Sequence, residues 1–505
     1  MKRPLINTLK GVSILAIAGF LSKILAALYR FPYQNLVRDQ GFYAFQQVYP
    51  FYSIITTMSL VALPNFLSSL VHSSDTPEED TRQFFQLTFI FSIIACLILT
   101  LSSQPIARLM GQEKLTGPFV MAILPLLLVP FLSLYRGQLQ AQNQMSKTAL
   151  SQVIEQVVRV CLIIVAAILF TRLTNNIYTI SFLAMLGSFI GGVMALIYLR
   201  VTTPFKMNAL FSNFFTISSK RNVLKKFGIP SLVFTFFMVY MLLLQMIDVF
   251  FVKNALLDMT QSITSNQAEV LKGIYDRGQP FLQLGLVITT SILTDALPKL
   301  TKRGVISNQI WQAVTYLSIT ITTGLFLLLP SMNDVLFKSH EHSFSLQLFI
   351  LQIPLISMIQ LHHHALFLAH KNKQSGLFLI SGLCLKLILV YPLTSSFGIN
   401  GASLSSLISL LFVYLLYMIY SKKTPNALLN ARFWLAIIAM SFVILIGTHI
   451  FLVDNRLLQL IKIGLLTMIS AAVFFKVSKF KLKTLLTKLK HKKKSLGSFF
   501  YTCSM

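Results

Sequence analysis

Charge is what this sequence has least of: 11% of its 505 residues are Asp, Glu, Lys or Arg, against 55% that are hydrophobic. So little polar surface excludes a soluble globular protein of this length, and a mean hydropathy of +0.72 makes lipid the solvent for most of the chain. No polar stretch is long enough to form a separate soluble domain. The four cysteines, Cys96, Cys161, Cys384 and Cys503, show no paired spacing, which argues against disulfides and a zinc site. A glycine-rich phosphate loop is missing, and nucleotide hydrolysis with it. His362, His363 and His364 are consecutive, so on a helix they point about 100° apart and cannot converge on one metal ion. No metal and no other cofactor is expected. The first apolar segment, Gly11 to about Tyr29, lacks a small-residue cleavage site and carries Lys23, so it reads as a membrane span rather than a signal peptide.

What is present is a series of apolar runs, each long enough to cross about 30 Å of hydrocarbon. They begin near Gly11, Gln46, Phe84, Gly117, Gln152, Ile177, Gly228, Gly273, Trp311, Ser343, Ser375, Ile399, Arg432 and Leu457. The fold class is therefore an all-α polytopic membrane protein of about 14 transmembrane helices. Its expected parts are an N-terminal six-helix bundle (1–205), a basic linker (206–227), a C-terminal six-helix bundle (228–425), two further helices (426–476) and a basic tail (477–505). The bundles look like repeats. Gly41-Phe42-Tyr43, Pro50 and Leu63-Pro64 in the first are echoed by Gly273-Ile274-Tyr275, Pro280 and Leu297-Pro298 in the second.

Basic residues outnumber acidic ones by 43 to 15. An even number of spans with both termini in the cytoplasm puts most Lys and Arg inside, as the positive-inside rule requires. The tail from Lys476 to Lys494 is suited to anionic lipid headgroups. The net charge of +28 is spread over many loops without a binding module, so nucleic acid is not the expected partner.

Charges within the spans are functional candidates, because each costs several kcal/mol unless it faces a cavity or a partner. Lys23 and Arg30 lie on one face of the first span; Arg30 is near enough to its end to snorkel. Gln152, Glu155, Gln156 and Arg159 make an i, i+3, i+4, i+7 stripe on the fifth span, either lining a cavity or closing on itself through an intrahelical Glu155–Arg159 pair. Arg136, Gln140 and Asn143 form a similar stripe on the fourth, with a water-solvated helix end as the alternative. Asp276, Gln279, Gln283, Thr290 and Thr294 line one face of the eighth, with Arg277 beside them. Asp248 on the seventh span is a candidate for coupling to an ion. Prolines inside spans, Pro50, Pro64 and Pro280 among them, free carbonyls and allow bends.

At these residues a family resemblance emerges. Ser22-Lys23-Ile24-Leu25, Tyr29-Arg30-Phe31-Pro32-Tyr33, Gly41-Phe42-Tyr43 and Gln46-Gln47-Val48-Tyr49-Pro50 resemble the start of the YtgP/SpoVB-type polysaccharide exporters. These belong to the multidrug/oligosaccharidyl-lipid/polysaccharide exporter superfamily, together with the MurJ-like lipid II flippases. Leu134-Tyr135-Arg136-Gly137, the stretch Ser151 to Arg159 and Tyr275-Asp276-Arg277-Gly278-Gln279-Pro280 are similar to the family's fourth, fifth and eighth helices. Two departures stand out. Arg38 precedes Asp39 where relatives usually have glycine, and Ala62-Leu63-Pro64 stands where they often have Gly-x-Pro.

The resemblance implies a flippase in the bacterial inner membrane, a monomer and not an enzyme. Its substrate would be an undecaprenyl-pyrophosphate-linked sugar, most readily lipid II, moved to the outer leaflet by alternating access. Lys23, Arg30 and Arg277 would supply cationic donors to the pyrophosphate, and Gln152, Gln279 and Gln283 hydrogen bonds to the sugars. Alternatives are a same-fold exporter of a teichoic-acid, capsule or spore-wall precursor, a cation antiporter (disfavoured by Lys23 and Arg30) and a membrane glycosyltransferase (disfavoured by short outer loops poor in acids).

Overall fold

The computed structural model describes residues 24–173, 176–203, 210, 217–259, 263–301, 306–421, 429–450 and 455–480. Lys23, residues 206–209 and 211–216 of the basic linker and the tail beyond residue 480 lie outside the described residues. Every regular element among them is helical. In chain order these are α1 (Arg30–Thr57), α2 (Leu63–Ser73), α3 (Pro77–Leu101), α4 (Ser103–Leu109), α5 (Thr116–Ile123), α6 (Val129–Ala141), α7 (Met145–Leu173), α8 (Ile177–Thr202) and α9 (Ile217–Leu257). They continue as α10 (Ser265–Asp276), α11 (Gly278–Thr301), α12 (Asn308–Phe337), α13 (Ser343–Ile350), α14 (Gln352–Leu368), α15 (Asn372–Ser421), α16 (Ala431–Ile450) and α17 (Arg456–Ser478). Among the described residues, 11 helical stretches are long and apolar enough to cross a membrane.

Two of those stretches, Ile24–Ser73 and Asn372–Ser421, are 50 residues long. Straight, each would measure about 75 Å, more than twice the hydrocarbon thickness. Both fold back instead. In α15 the Lys386 ammonium reaches the Ser406 hydroxyl at 2.6 Å across 20 positions, which a straight helix would hold about 30 Å apart. The turn is at Gly398, φ +59°, where the missing side chain permits a left-handed backbone. The first stretch turns at Arg38, φ 58° and ψ −174°, and brings the Tyr33 and Phe45 rings within 4.9 Å. Arg38 thus stands, with a side chain, in a region that glycine adopts freely and other residues do not. Its departure from the family's glycine is a local strain.

Most of the apolar core falls into two large clusters. One draws on residues from Tyr29 to Met185 together with Val249. The other runs from Tyr240 to Tyr417 and takes in Phe31. We call the two sets of helices the N-terminal and C-terminal lobes. The α1 hairpin packs between them. Helices α16 and α17 join through a separate cluster around Phe433, Met440 and Phe474 that docks on Tyr316 and Leu328 of α12. Phe91, Leu97 and Leu101 of α3 and Phe442, Leu457 and Met468 of α16 and α17 are exposed, as expected of lipid-facing surfaces.

Candidate functional site

Proline chemistry sets the first contacts. Pro64 has no N–H to give the carbonyl four residues back. That carbonyl, on Leu60, accepts instead from Gln152 at 3.3 Å. A π-helical turn, Met58–Ala62, precedes α2, and the Ser59 carbonyl within it accepts from Arg136 at 3.3 Å. Arg136 also pairs with Glu155 at 2.6 Å and donates to Ser151 at 3.1 Å, with both charged side chains buried. The intrahelical Glu155–Arg159 pair is therefore not formed, and the solvated-end alternative for Arg136 fails. Glu155 chooses a cation on the neighbouring helix because that guanidinium reaches the carboxylate and two further acceptors at once.

Arg159 is left facing tyrosines. It donates to the Tyr52 hydroxyl at 3.1 Å and lies 5.5 Å and 5.2 Å from the Tyr29 and Tyr52 ring centres. Arg30 is fully buried, so it does not snorkel; its guanidinium lies 4.5 Å over the Tyr49 ring. Cation–π contact returns up to about 2 kcal/mol in a desolvated site, less than desolvating a cation costs. Nε and Nη1 of Arg30, and Nε and Nη2 of Arg159, have no hydrogen-bond partner among the described residues. Two buried guanidiniums on the wall of one lobe thus carry N–H groups without an acceptor among the described residues.

Tyr49 connects this wall to a small cavity between the lobes. Gln46, Tyr49 and Pro50 of α1 face Gln245, Asp248 and Val249 of α9 and Lys272, Asp276 and Gln279 of α10 and α11 across an empty volume of about 250 Å³. The remaining charges there are matched. Lys272 pairs with Asp276 and Lys386 with Asp248, each at 2.6 Å, and Tyr275 donates to the other Asp248 oxygen at 2.8 Å. Gln245 donates to Gln279 at 2.7 Å. Gln283, the next polar residue along that face, is half-buried.

Next to the cavity residue Asp276, Arg277 forms a clasp between the lobes. Arg277 grips both carboxylate oxygens of Asp39 on the α1 turn, with its Nε 2.7 Å from Oδ1, and donates to Asn333 at 3.2 Å. The contact needs Gly273, since a Cβ there would lie 2.1 Å from the Asp39 carbonyl oxygen. Beside it, Glu269 accepts from Lys253 and Gln112 at 2.8 Å, Gln40 at 2.7 Å and Tyr178 at 3.0 Å. Glu269 precedes the apolar stretch that begins near Gly273. Burial alone would raise its carboxyl, but hydrogen bonds from Lys253, Gln40 and Gln112 outweigh it and hold the group below the ordinary carboxylate range.

Arg277 and Asp276, expected to face substrate, are therefore committed to Asp39 and Lys272 in this state. Glu269, Lys253, Lys272, Lys386 and the tyrosines around the two arginines went unnoticed in the sequence. Lys386 sits within an apolar run and answers to the same rule that singled out Lys23. Glu269 and Lys272 escaped because α10 starts at Ser265, ahead of the apolar stretch by which the span was recognised.

Residues 8–303 match the family described as polysaccharide biosynthesis protein. Over 423 residues the chain is 30% identical to the uncharacterized membrane protein YabM of Bacillus subtilis (strain 168), covering 79% of this chain and 77% of that one. Over 210 residues it is 30% identical to the lipid II flippase MurJ of the same organism, covering 38% and 39% of the two chains. Among solved structures, a lipid II flippase MurJ in an inward closed conformation superposes with a TM-score of 0.68 at 17% identity, over 92% of this chain and 98% of that one. An inward-facing MATE family transporter of the MOP superfamily gives 0.61 at 13% identity, over 80% and 95%. At such identities the likeness is one of fold, and it is the polytopic exporter fold expected from the sequence.

Proposed function

The chain belongs to the polysaccharide biosynthesis protein family, and from that membership we propose that it is a flippase carrying a lipid-linked sugar, lipid II foremost, from the inner to the outer leaflet of the cell membrane. The observation that carries the reading is the pair of buried arginines, Arg30 and Arg159, which have N–H groups without a hydrogen-bond partner among the described residues and lie behind Tyr49, a lining residue of the cavity between the lobes. A pyrophosphate is the natural ligand for such a wall: it presents several acceptors to paired guanidiniums in a low-dielectric site. Lys23 would extend the same face, and Gln152, Gln279 and Gln283 would meet sugar hydroxyls once the helices part. The lipid tail stays in the bilayer.

The room accessible inside this cavity is no more than a single water molecule needs, so the described state is closed to a sugar head. With both termini in the cytoplasm, the positive-inside rule sets the Arg277–Asp39 clasp on the outer side. Alternating access then consists of breaking this clasp while the lobes close at the other end. The basic tail would rest on anionic lipids, and the protein would act as a monomer without enzymatic turnover.

The test is flipping of a fluorescent undecaprenyl-pyrophosphate-linked sugar by purified protein in liposomes. Each guanidinium supplies charge-assisted hydrogen bonds worth about 1.5–3 kcal/mol, so Arg30→Gln and Arg159→Gln should each slow transport roughly 10–150-fold. Wild-type protein that moves no such lipid defeats the function. A folded double variant that flips at the wild-type rate defeats the assignment of the two arginines.

A further inference from the structure

Lys386 of α15 is fully buried, and its environment consists of oxygen atoms. Its ammonium lies 2.6 Å from Asp248 Oδ1, 2.6 Å from Ser406 Oγ, 2.8 Å from Ser405 Oγ and 3.3 Å from the Ala402 carbonyl oxygen. The two serine hydroxyls turn their own protons to that carbonyl, at 2.8 Å and 3.5 Å, which leaves their lone pairs for the cation. An ammonium has three N–H groups to give; the two serine hydroxyls and the Ala402 carbonyl accept them, and the Asp248 carboxylate is a fourth oxygen in contact as counter-charge. One carboxylate, two hydroxyls and one carbonyl form the donor set of a hard-cation site. The second arm of the α15 hairpin supplies three of the four oxygens, and Asp248 brings the fourth from the cavity wall.

We propose that Lys386 is a tethered substitute for a monovalent cation: it permanently fills an oxygen cage that would otherwise take an alkali ion or free ammonium. The cage neutralises Asp248 without drawing an ion from solution. Asp248 is then no exchangeable coupling site in this chain, contrary to the role its position alone suggests. The inference is independent of the cargo the protein carries.

The prediction is that emptying the cage lets a dissolved ion in. Thermal unfolding of the full chain in detergent is measured in potassium, sodium, ammonium or choline chloride at equal ionic strength. The wild-type midpoint should be the same in all four salts. Lys386→Ala should gain a saturable rise of about 2 °C or more in the small cations over choline. Asp248→Asn added to that variant should abolish the rise. Lys386→Ser, which adds an oxygen to the cage, replaces Lys386→Ala in the same titration if the latter does not fold. A folded variant with no response to any small cation overturns the proposal. So does a wild-type response that Asp248→Asn removes, because the cage would then already exchange ions.

Discussion

Replacing Glu269 by Gln removes one charge from the clasp while keeping its shape. Gln40, Gln112 and Tyr178 donate to Glu269 from the N-terminal lobe, at 2.7, 2.8 and 3.0 Å. A hydrogen bond to a charged acceptor contributes about 1.5–3 kcal/mol and one to a neutral acceptor about 0.5–1.5. The substitution therefore weakens the two bonds to the oxygen that remains by about 1 kcal/mol each, and the amide nitrogen in place of the other oxygen no longer accepts from Gln40, a loss of about 1 kcal/mol or more. Lys253 also loses its carboxylate, 2.8 Å away, but both residues belong to the C-terminal lobe and that penalty falls on open and closed states alike. The closed state loses about 3 kcal/mol relative to the open one, a roughly 150-fold shift in their ratio. The assay places a single reporter cysteine at Gln46, on the cavity wall, in a background without Cys96, Cys161, Cys384 and Cys503, and follows labelling by an impermeant maleimide. Labelling tracks the open population, so Glu269→Gln should accelerate it at least about tenfold. Equal rates in two equally stable proteins would refute the clasp. Acidity provides a second arm. The folded carboxyl is held below its unfolded value of about 4.3, so its contribution is complete above that pH and is lost only as the pH falls through the depressed value. Divided at each pH by the labelling rate of the same cysteine in unfolded protein, which removes the loss of thiolate in acid, wild-type labelling should rise in that window, and Glu269→Gln should not respond to it.

The Arg136–Glu155 pair is buried and hydrogen-bonded, so Arg136→Ala should destabilise the protein by about 3–5 kcal/mol, read as a lowered unfolding midpoint; Arg136→Met with Glu155→Leu should recover most of the loss. Arg38→Gly relieves a backbone cost of about 1–3 kcal/mol at the α1 turn and gives back part of it in unfolded-chain entropy. The expected outcome is a net gain of about 1 kcal/mol and a higher midpoint, with flipping preserved; a lower midpoint refutes the strain.

Much of the fold was legible because hydrocarbon thickness and helix rise leave few choices for an apolar chain. The site was only half legible. The stripe from Gln152 to Arg159 marked one helix face, yet its charges part company: Glu155 turns to Arg136, 19 positions away, while Arg159 faces tyrosines. Spacing along one helix reports which side chains share a face; it does not report which neighbouring helix brings the stronger partner. Asp39 looked like a lone acid in a short loop for the same reason, its partner being 238 residues distant. Tyr29, Tyr49 and Tyr52 carry no charge and resemble ordinary core aromatics until two guanidiniums are found against them.

That separation of 238 residues also sets a schedule for biosynthesis. At about 5–20 residues per second, the ribosome reaches Arg277 roughly 10–50 s after making the α1 turn. In that interval the hairpin is threaded into the bilayer with Asp39 uncompensated and with Phe31 waiting for a lobe that does not yet exist. The nascent N-terminal half must therefore be sheltered, either by the insertion machinery or by staying loosely packed, until α10 arrives. Cutting the chain between the lobes should yield an N-terminal fragment that accumulates only when its other half is made in the same cell.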